Sequence, residues 1–262
     1  MKKPKSDYVI QTVTHALALL EAFEGEEELG VTELARRLDL HKNNVFRLLA
    51  TLEEKGYIEQ DPGSERYRLG VRCLEIGQSF SRNRSLVRHA RPHLENLVRE
   101  TGESAHLAVL RDFHVVYLDG EPSAQLVRAA SRSGERLPAH CTAAGKVLLG
   151  CADDRLRQEF DRLWVAAGRL ERRTRATILD REKLFEAFRA AAGQRYALDD
   201  EECEVGMRCA AAPVYEASGR SVAALVVSGP SYRLETQRLL DQVVPALSAS
   251  AERLSGRLGY LT

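Results

Sequence analysis

The sequence lacks the features of a membrane-spanning or secreted protein. None of its 262 residues lies in a run that approaches the ~20 consecutive apolar residues needed to cross a bilayer. The basic N-terminal stretch MKKPKSDYVIQTVTHALALL has polar interruptions such as Gln11 and His15, so it has no continuous signal-peptide core. We therefore expect a cytoplasmic protein that makes no membrane contact.

Paired cysteines and an excess charge of either sign are also missing. The five cysteines contain no CxxC pair, which is typical of a reducing compartment. The formal net charge is +0, so no overall field attracts the chain to nucleic acid. With 44% hydrophobic and 29% charged residues, the composition is that of an ordinary globular chain of one or two domains.

Helical periodicity is present in three N-terminal segments. In VIQTVTHALALLEAF the apolar residues Ile10, Val13, Leu17 and Leu20 recur on one side of a helix. After the loop EGEEELG, the segment VTELARRLDL predicts a second helix that Thr32 can cap. The segment that follows predicts a third helix, whose buried face consists of Val45, Leu48, Leu49 and Leu52.

The other face of the third predicted helix carries groups that suit DNA. At about 100° per residue, Asn43, Arg47 and Thr51 lie away from the apolar stripe, and Lys42 and Asn44 belong to the first turn. The Asn amide matches an adenine edge, whereas Arg and Lys suit guanine or phosphate. This composition is typical of a recognition helix in a major groove, although a solvated helix face is the alternative for this helix alone.

A predicted hairpin follows and decides between these alternatives. YIEQ and RYRLG alternate as strands, and DPGSE supplies turn-forming residues between them. Three helices and a hairpin make a winged helix-turn-helix. Residues 1–70 carry 10 Lys and Arg against 13 Asp and Glu, so binding would depend on local arrangement rather than on a uniformly basic domain. The predicted DNA contacts are Thr32, Lys42, Asn43, Asn44, Arg47, Thr51, Arg66 and Arg68.

The rest of the chain predicts a linker helix at 71–88 and an α+β domain at 89–262. Residues 71–91 contain five arginines and one glutamate, so this segment either approaches the DNA backbone or simply connects the domains. SAHLAVL with HVVYLDG predicts one hairpin, QLVRAA a third strand, and RCAAAPVYEASGRSVAALVVSGP another hairpin. Helical stretches lie between and after them, as in an antiparallel sheet with flanking helices.

These segments resemble the isocitrate lyase regulator (IclR) family of bacterial transcription factors. The resemblance lies in RLLATLEEKGYIEQ with YRLG, in LPAHCTAAGKVLLG and in LDDEECEVGMRCAAAPVYEASGRSVAALVVSGP, and it extends from about residue 8 to the final helix. It implies a winged domain at 1–70, a GAF-like effector-binding domain at 89–262, and homodimers, often paired as tetramers, that meet through N-terminal helices. The family's usual Ser-Thr-Val is Asn43, Asn44 and Val45 here, so the operator sequence does not carry over.

The segment HCTAAGK is a candidate anion site. Thr142 can cap the helix, and the small residues after it would let a carboxylate approach backbone N–H groups, although close packing is an equal alternative. By resemblance, Val226 stands where relatives that sense small 2-oxo acids have a serine. A ligand oxygen therefore loses a hydrogen bond of roughly 1 kcal/mol, so we expect a larger or more apolar acid. By resemblance, the effector pocket comprises Leu126, Ala129, Leu137, Ala143, Ala144, Asp199, Cys209, Val226 and Ser228.

We therefore expect a ligand-responsive transcription factor without a cofactor, acting as a repressor rather than an activator. Its expected partners are double-stranded operator DNA, a small organic-acid or aromatic effector, and further copies of itself in a homodimer or homotetramer. An enzyme is disfavoured because the adjacent side chains of His140 and Cys141 diverge, and His140 stands where a phosphate loop needs glycine. The alternative is a ligand-binding module or metal-binding sensor without sequence-specific DNA binding, but the Cys and His spacing matches no familiar zinc pattern.

Overall fold

The computed structural model describes residues 8–83 and 85–260, and for residues 78–83 it describes the backbone alone. The chain divides into two compact units, Met1–Asn83 and Arg84–Thr262. The predicted boundaries at residues 70 and 88 stay a prediction, and residue 84 of the predicted linker helix lies outside the described residues. None of the helices described is long and apolar enough to cross a membrane.

The first unit is a winged helix-turn-helix, as predicted. Its elements are α1 (Gln11–Glu21), α2 (Val31–Leu38), α3 (Lys42–Glu54), β1 (Ile58–Gln60), β2 (Tyr67–Leu69) and α4 (Val71–Asn83). β1 and β2 pair in antiparallel fashion, and Leu29 forms a further bridge to Tyr67. The apolar stripes of the first three helices meet the wing in one core of Leu19, Phe23, Leu29, Leu34, Ala35, Val45, Leu49, Ile58 and Tyr67.

The start of α2 differs from the prediction. Gly30 occupies the N-cap, and Thr32 is an exposed residue inside the first turn, so the predicted Thr32 cap is wrong. The carboxylate of Glu33 accepts a hydrogen bond from the Gly30 N–H at 2.8 Å. This is one of the two hydrogen bonds of a capping box, in which the side chain at the third helical position caps the first turn. The hydroxyl of Thr32 remains available to solvent.

α1 buries a different side from the one its periodicity predicts. Of the predicted stripe only Leu20 packs against the core, beside the buried Leu19 and Phe23, whereas Ile10, Val13 and Leu17 are 66%, 52% and 55% exposed. An 11-residue helix on the edge of a small unit can bury only one stripe. Its second apolar stripe therefore lies on the surface of the unit.

The second unit is α+β, as predicted. Its helices are α5 (Ser85–Thr101), α6 (Ala143–Gly150), α7 (Asp154–Phe160), α8 (Arg181–Gln194), α9 (Thr236–Arg238) and α10 (Val244–Arg257). Its strands are β3 (Ser104–Arg111), β4 (His114–Glu121), β5 (Arg136–Pro138), β6 (Ala197–Asp200), β7 (Met207–Tyr215) and β8 (Ser221–Pro230). They form one antiparallel sheet in the order β5-β4-β3-β8-β7-β6.

Helices cover both faces of this sheet. Along β8, Ala224 and Val226 join the core beneath α6 and α8, whereas Leu225 and Val227 join the core beneath α5 and α10. This alternation follows from the two-residue period of a strand. We call the face beneath α6 the inner face; it carries the predicted effector residues of the strands.

The two predicted hairpins are confirmed as β3–β4 and β7–β8, but the predicted strand QLVRAA is wrong. Residues 125–130 form a loop instead, and the edge strand β5 lies further along the chain. The loop is fixed by a side chain rather than by strand pairing, because the Ser104 hydroxyl donates to the Ala129 carbonyl at 3.1 Å. Leu126 is 96% exposed in this loop.

Gly145 determines how closely α6 approaches the preceding turn, which gives a stability prediction. A Cβ at Gly145 would lie 2.0 Å from the Ala139 carbonyl oxygen, so Gly145→Ala must displace α6. We expect the free energy of unfolding to fall by about 2 kcal/mol or more. Gly193→Ala in α8 is the matched control: its Cβ meets nothing within 4 Å, so it should raise stability by roughly 0.5–1 kcal/mol. Urea unfolding of both variants measures this, and equal effects would contradict it.

Candidate DNA-binding surface and effector site

The exposed side of α3 carries four of the predicted DNA contacts. Lys42, Asn43, Asn44 and Arg47 are all exposed, because the opposite side of the helix is fixed in the core through the fully buried Val45. No side chain caps α3, so the positive end of the helix is open to an anion beside the Lys42 ammonium. This combination of exposed amides and cations suits a duplex groove edged by phosphates.

Two further residues of α3 differ from the expectation. The hydroxyl of Thr51 donates to the Arg47 carbonyl at 2.8 Å, so its proton is already used within the helix. Phe46 is 57% exposed although no pattern singled it out, because it falls between the buried stripe and the polar face. An exposed phenyl ring on a recognition helix can contact a thymine methyl group, and its only sequence signal is an aromatic residue just outside the apolar period.

The two predicted wing arginines are bound within the unit to different extents. Arg66 donates to the Glu33 carboxylate at 2.7 Å and to the Glu28 carbonyl at 3.0 Å, so it ties the wing to the start of α2. Arg68 faces the exposed Glu59 at 3.4 Å, an ion pair that water and salt weaken. Arg68 is therefore the wing cation with more freedom to turn to a phosphate.

Four strands place the predicted polar effector residues in one row on the inner face. Asp199 of β6 pairs with Cys209 of β7, Cys209 with Ser228 of β8, and Ser228 with Ser104 of β3. The Ser228 hydroxyl is fully buried and has no hydrogen-bond partner among the described residues. A buried hydroxyl without a partner costs about 1–3 kcal/mol, and a bound ligand with a hydrogen-bonding group would remove this cost. The row is therefore a candidate ligand site.

The start of α6 lies beside this row. Thr142 caps α6 as predicted, since its hydroxyl accepts from the Gly145 N–H at 3.2 Å. Ala143 and Ala144 are buried at the helix start, and the Cys141 thiol just before it lies close enough to Asp199 to feel its charge. The helix N-terminus and the polar row therefore belong to the same part of the inner face.

The remaining predicted pocket residues are divided between this site and the surface. Ala129 and Val226 are buried, and Leu137 is nearly so. Leu126 is the exception: it lies on the surface of its loop and is not part of a buried apolar wall. The loop is anchored near the row through Ser104, so Leu126 contributes to a pocket only if the loop moves.

Burial sets the protonation of Asp199. Burial raises the pKa of its carboxyl to about 7, and the nearby negative charge of Glu202 adds to this, while the Lys146 ammonium opposes it. One oxygen of Asp199 accepts from the backbone N–H groups of Glu202 and Cys203 at 2.8 and 3.3 Å. Near neutral pH this carboxyl is therefore present in both forms, and its protonated form can donate to a ligand oxygen.

A buried ion pair supports the same corner. The Lys146 ammonium contacts the Glu202 carboxylate, and the two side chains are only 6% and 9% exposed. The second carboxylate oxygen of Glu202 has no partner in the part of the chain that the structure describes. The pair thus fixes α6 to the loop after β6 while leaving one acceptor free.

Three polar residues of the inner face were missed by the sequence reasoning: His106 of β3, Tyr117 of β4 and Arg132 of the loop before β5. His106 and Tyr117 are buried, and Arg132 has a 15% exposed side chain. The one available signal was a histidine at an inward position of the apolar strand SAHLAVL. Tyr117 and Arg132 follow no pattern that marks them as buried together.

A large surface groove lies elsewhere. It has a volume of about 970 Å³ and lies at the other end of β3 and β8, beside Arg111 and Ser221. It includes none of the predicted effector residues. Within residues 8–83 and 85–260, no three His, Cys, Asp or Glu side chains are grouped so that they could hold a metal ion.

A winged helix-turn-helix with an exposed polar recognition helix, in one chain with an α+β unit that buries an incomplete polar site, defines a ligand-responsive DNA-binding transcriptional regulator. Residues 12–62 match the IclR helix-turn-helix domain, and residues 78–256 match the bacterial transcriptional regulator IclR C-terminal domain. The chain therefore belongs to the IclR family of transcriptional regulators.

Individual relatives agree along nearly the whole chain. The HTH-type transcriptional regulator KdgR of Escherichia coli is 34% identical over 99% of this chain and 95% of its own length. The transcriptional repressor IclR of the same organism is 30% identical over 93% of this chain and 88% of its own length. The crystal structure of an IclR transcriptional regulator from Alicyclobacillus acidocaldarius superposes with a TM-score of 0.84 at 26% identity, covering 95% of this chain and 99% of that one.

The raised pKa of Asp199 predicts a pH dependence of stability. Its folded pKa of about 7 lies above the ordinary value of 3.8, so the folded state binds more protons than the unfolded state between these values, and stability falls as pH rises through this window. Asp199→Asn keeps an acceptor for the two N–H groups but does not titrate. From pH 5 to 7 the wild type should lose up to about 1.4 kcal/mol per pH unit relative to the variant. Urea unfolding at several pH values measures the two free energies of unfolding. A difference between wild type and variant that does not change with pH would contradict the prediction.

Proposed function

We propose that this protein is a homodimeric repressor that binds operator DNA through α3 and responds to a small organic acid or aromatic metabolite bound at the inner face of its second unit. The observation that carries the proposal is the coexistence of an exposed, polar recognition helix with a buried row whose Ser228 hydroxyl has no protein partner among the described residues. The name of the E. coli relative IclR, a transcriptional repressor, supports repression.

The DNA contacts divide into two kinds. Asn43 and Arg47 project from the middle of the exposed side of α3 and read base edges, while Phe46 adds an apolar contact. The others, Thr32, Lys42, Asn44 and Arg68, border this surface or the wing and bind phosphate oxygens. Thr51 can join them only when its hydroxyl leaves the Arg47 carbonyl. Arg66 can join them only by leaving Glu33, so its first role is to position the wing.

The effector site would use the helix start and the polar row together. A ligand carboxylate binds the N–H groups at the start of α6, beside Ala143 and Ala144, where the helix dipole favours an anion. Asp199, Cys209 and Ser228 line the neighbouring strand positions, and Ala129, Leu137 and Val226 supply apolar contact. The ligand would regulate binding by its different affinity for the DNA-competent and the incompetent arrangement of the protein.

A dimer would use the exposed stripe of α1. One winged domain offers few base contacts, whereas two domains on two half-sites gain affinity and register together. Ile10, Val13 and Leu17 form an apolar row that the described unit does not cover, and covering it with the same row of a second copy would bury apolar surface. Pairing of dimers into tetramers is compatible with this arrangement.

We further propose that the protein has no catalytic activity. Cys141 is fully buried, and the neighbouring Cys203 thiol together with burial raises the pKa of its thiol, which opposes formation of a nucleophilic thiolate. The adjacent His140 ring instead contacts the Glu171 carbonyl at 2.9 Å. The two side chains are thus engaged in separate structural contacts.

Specific DNA binding is tested by Arg47→Ala. Because Arg47 is exposed and lies opposite the core, the variant should unfold like the wild type but bind the operator about 5- to 100-fold more weakly in the presence of competitor, since one bidentate base contact contributes about 1–3 kcal/mol. Gel shifts with excess competitor DNA measure the change. Arg189→Ala, which removes an exposed arginine from α8, should bind like the wild type. Unchanged affinity in Arg47→Ala would exclude Arg47 as a contact.

The dimer is tested by Val13→Asp. A buried carboxylate in the proposed α1 pair is unfavourable, so the variant should bind a single half-site as the wild type does but bind the two-half-site operator without cooperativity. Thr12→Asp adds the same charge at an exposed position about 100° around the helix and should keep cooperativity. Fluorescence anisotropy on both DNAs measures this; cooperative binding by Val13→Asp would place the dimer contact elsewhere.

A further inference from the structure

His106 lies on the inner face, where the absence of a side chain at Gly120 leaves room for its imidazole ring. On one side it is in register with Gly120 of β4, where a Cβ would come within 2.6 Å of the imidazole Nδ1. On the other side it is in register with Val226 of β8. Its ring meets that of Tyr117 edge to face, with centroids 5.6 Å apart. The ring is therefore fixed, and only 1% of the residue is exposed.

Neither nitrogen of this ring has a hydrogen-bond partner among the residues that the structure describes. A neutral imidazole has one N–H donor and one acceptor nitrogen, and burying both without partners costs free energy. Burial and the Arg132 guanidinium lower the pKa of His106 to about 4, so at neutral pH the ring is uncharged and offers one donor and one acceptor together. A hydroxyl group, which also donates and accepts, is the complementary ligand group.

Arg132 lies close enough to His106, Tyr117 and Cys209 for its positive charge to act on all three. Its guanidinium is bound by Glu135 at 3.1 Å and by Glu204 at 2.6 Å, so its charge is already paired from the solvent side. Its charge adds to burial in keeping the imidazole neutral, and the two carboxylates already compensate that charge. The carboxylate is therefore left to the start of α6, and the His106 side of the site is left to uncharged polar groups.

The distances between the orphaned groups bound the size of the ligand. Ser228 pairs with Ser104 and Val226 pairs with His106, so Ser228 and His106 are diagonal neighbours, about 7–8 Å apart along such a pair of strands. A ligand that bonds both must carry polar groups on different carbon atoms. An acid without a hydroxyl group, such as benzoate, would leave both His106 nitrogens unpartnered.

We propose that His106 is a specificity-determining residue of the effector site and that, given the proposed sensor function, the effector is a carboxylate with hydroxyl groups on at least two carbon atoms. His106 and Ser228 hydrogen-bond those hydroxyls, and the valine at 226 supplies the apolar wall between them. Within the two effector classes proposed above, this inference selects hydroxylated acids over acids that carry no hydroxyl group.

The test is isothermal calorimetry on the full chain with two sets of acids. One set is hydroxylated, D-glycerate, L-threonate and D-gluconate; the other has no hydroxyl on carbon, propionate, butyrate, pyruvate and benzoate. We expect at least one hydroxylated acid to bind tenfold or more tightly than every acid of the second set, and to change operator affinity in a gel shift. Tighter binding of benzoate or pyruvate would overturn the inference and leave the proposed sensor intact. No binding by either set would overturn organic-acid sensing, and the inference with it.

Two variants separate a ligand contact from a structural role. His106→Leu should weaken the binding of the hydroxylated acid at least tenfold while leaving the ligand-free unfolding midpoint unchanged or higher, because it removes two unpartnered polar atoms. His106→Gln, which keeps a donor and an acceptor, should recover part of the affinity. Loss of ligand-free stability in His106→Leu with unchanged affinity would overturn the inference and make His106 a structural residue. Wild-type operator binding by both variants is the control for folding.

Discussion

The packing of α6 against the inner face of the six-stranded sheet determines where the second unit can bind a ligand. Gly145 permits this packing, because any side chain there would overlap the Ala139 backbone. The Lys146–Glu202 ion pair then fixes the helix to the loop after β6 in a place where neither charge is exposed to water. As a result, the start of one helix and a row of strand side chains from β6 to β3 belong to the same buried site.

The two units use burial in opposite ways. In the first, a small core fixes one side of α3, so that the predicted DNA contacts on the other side of this helix are exposed. In the second, the polar groups are buried, and several of them, His106, Glu202 and Ser228 among them, have atoms without partners in the described chain. Polar groups buried without partners are destabilising, so a ligand that supplies the partners stabilises whichever arrangement it binds. This is the thermodynamic basis of a sensor.

The secondary-structure elements could be predicted from the sequence more accurately than the tertiary contacts between them. The winged helix-turn-helix and both long hairpins follow from periodicity and turn residues, which are local properties. The side of α1 that faces the core does not, because two apolar stripes compete and only tertiary packing selects Leu19 over Leu17. QLVRAA has the composition of a strand, yet the Ser104 hydroxyl bonds its backbone in a loop. The His106 site was missed because it depends on register between β3, β4 and β8, which no single segment encodes.

We propose that a dimer of this chain reads two DNA half-sites, one with each winged domain, under the control of a bound ligand. Footprinting of the intact protein on the DNA that flanks its own coding region, with and without a calorimetrically identified acid, tests this most directly. We predict two protected segments related by a dyad and separated by whole helical turns, about 10–10.5 base pairs each, whose protection changes when the acid is added. A single segment without symmetry, or protection that no bound acid alters, would contradict it.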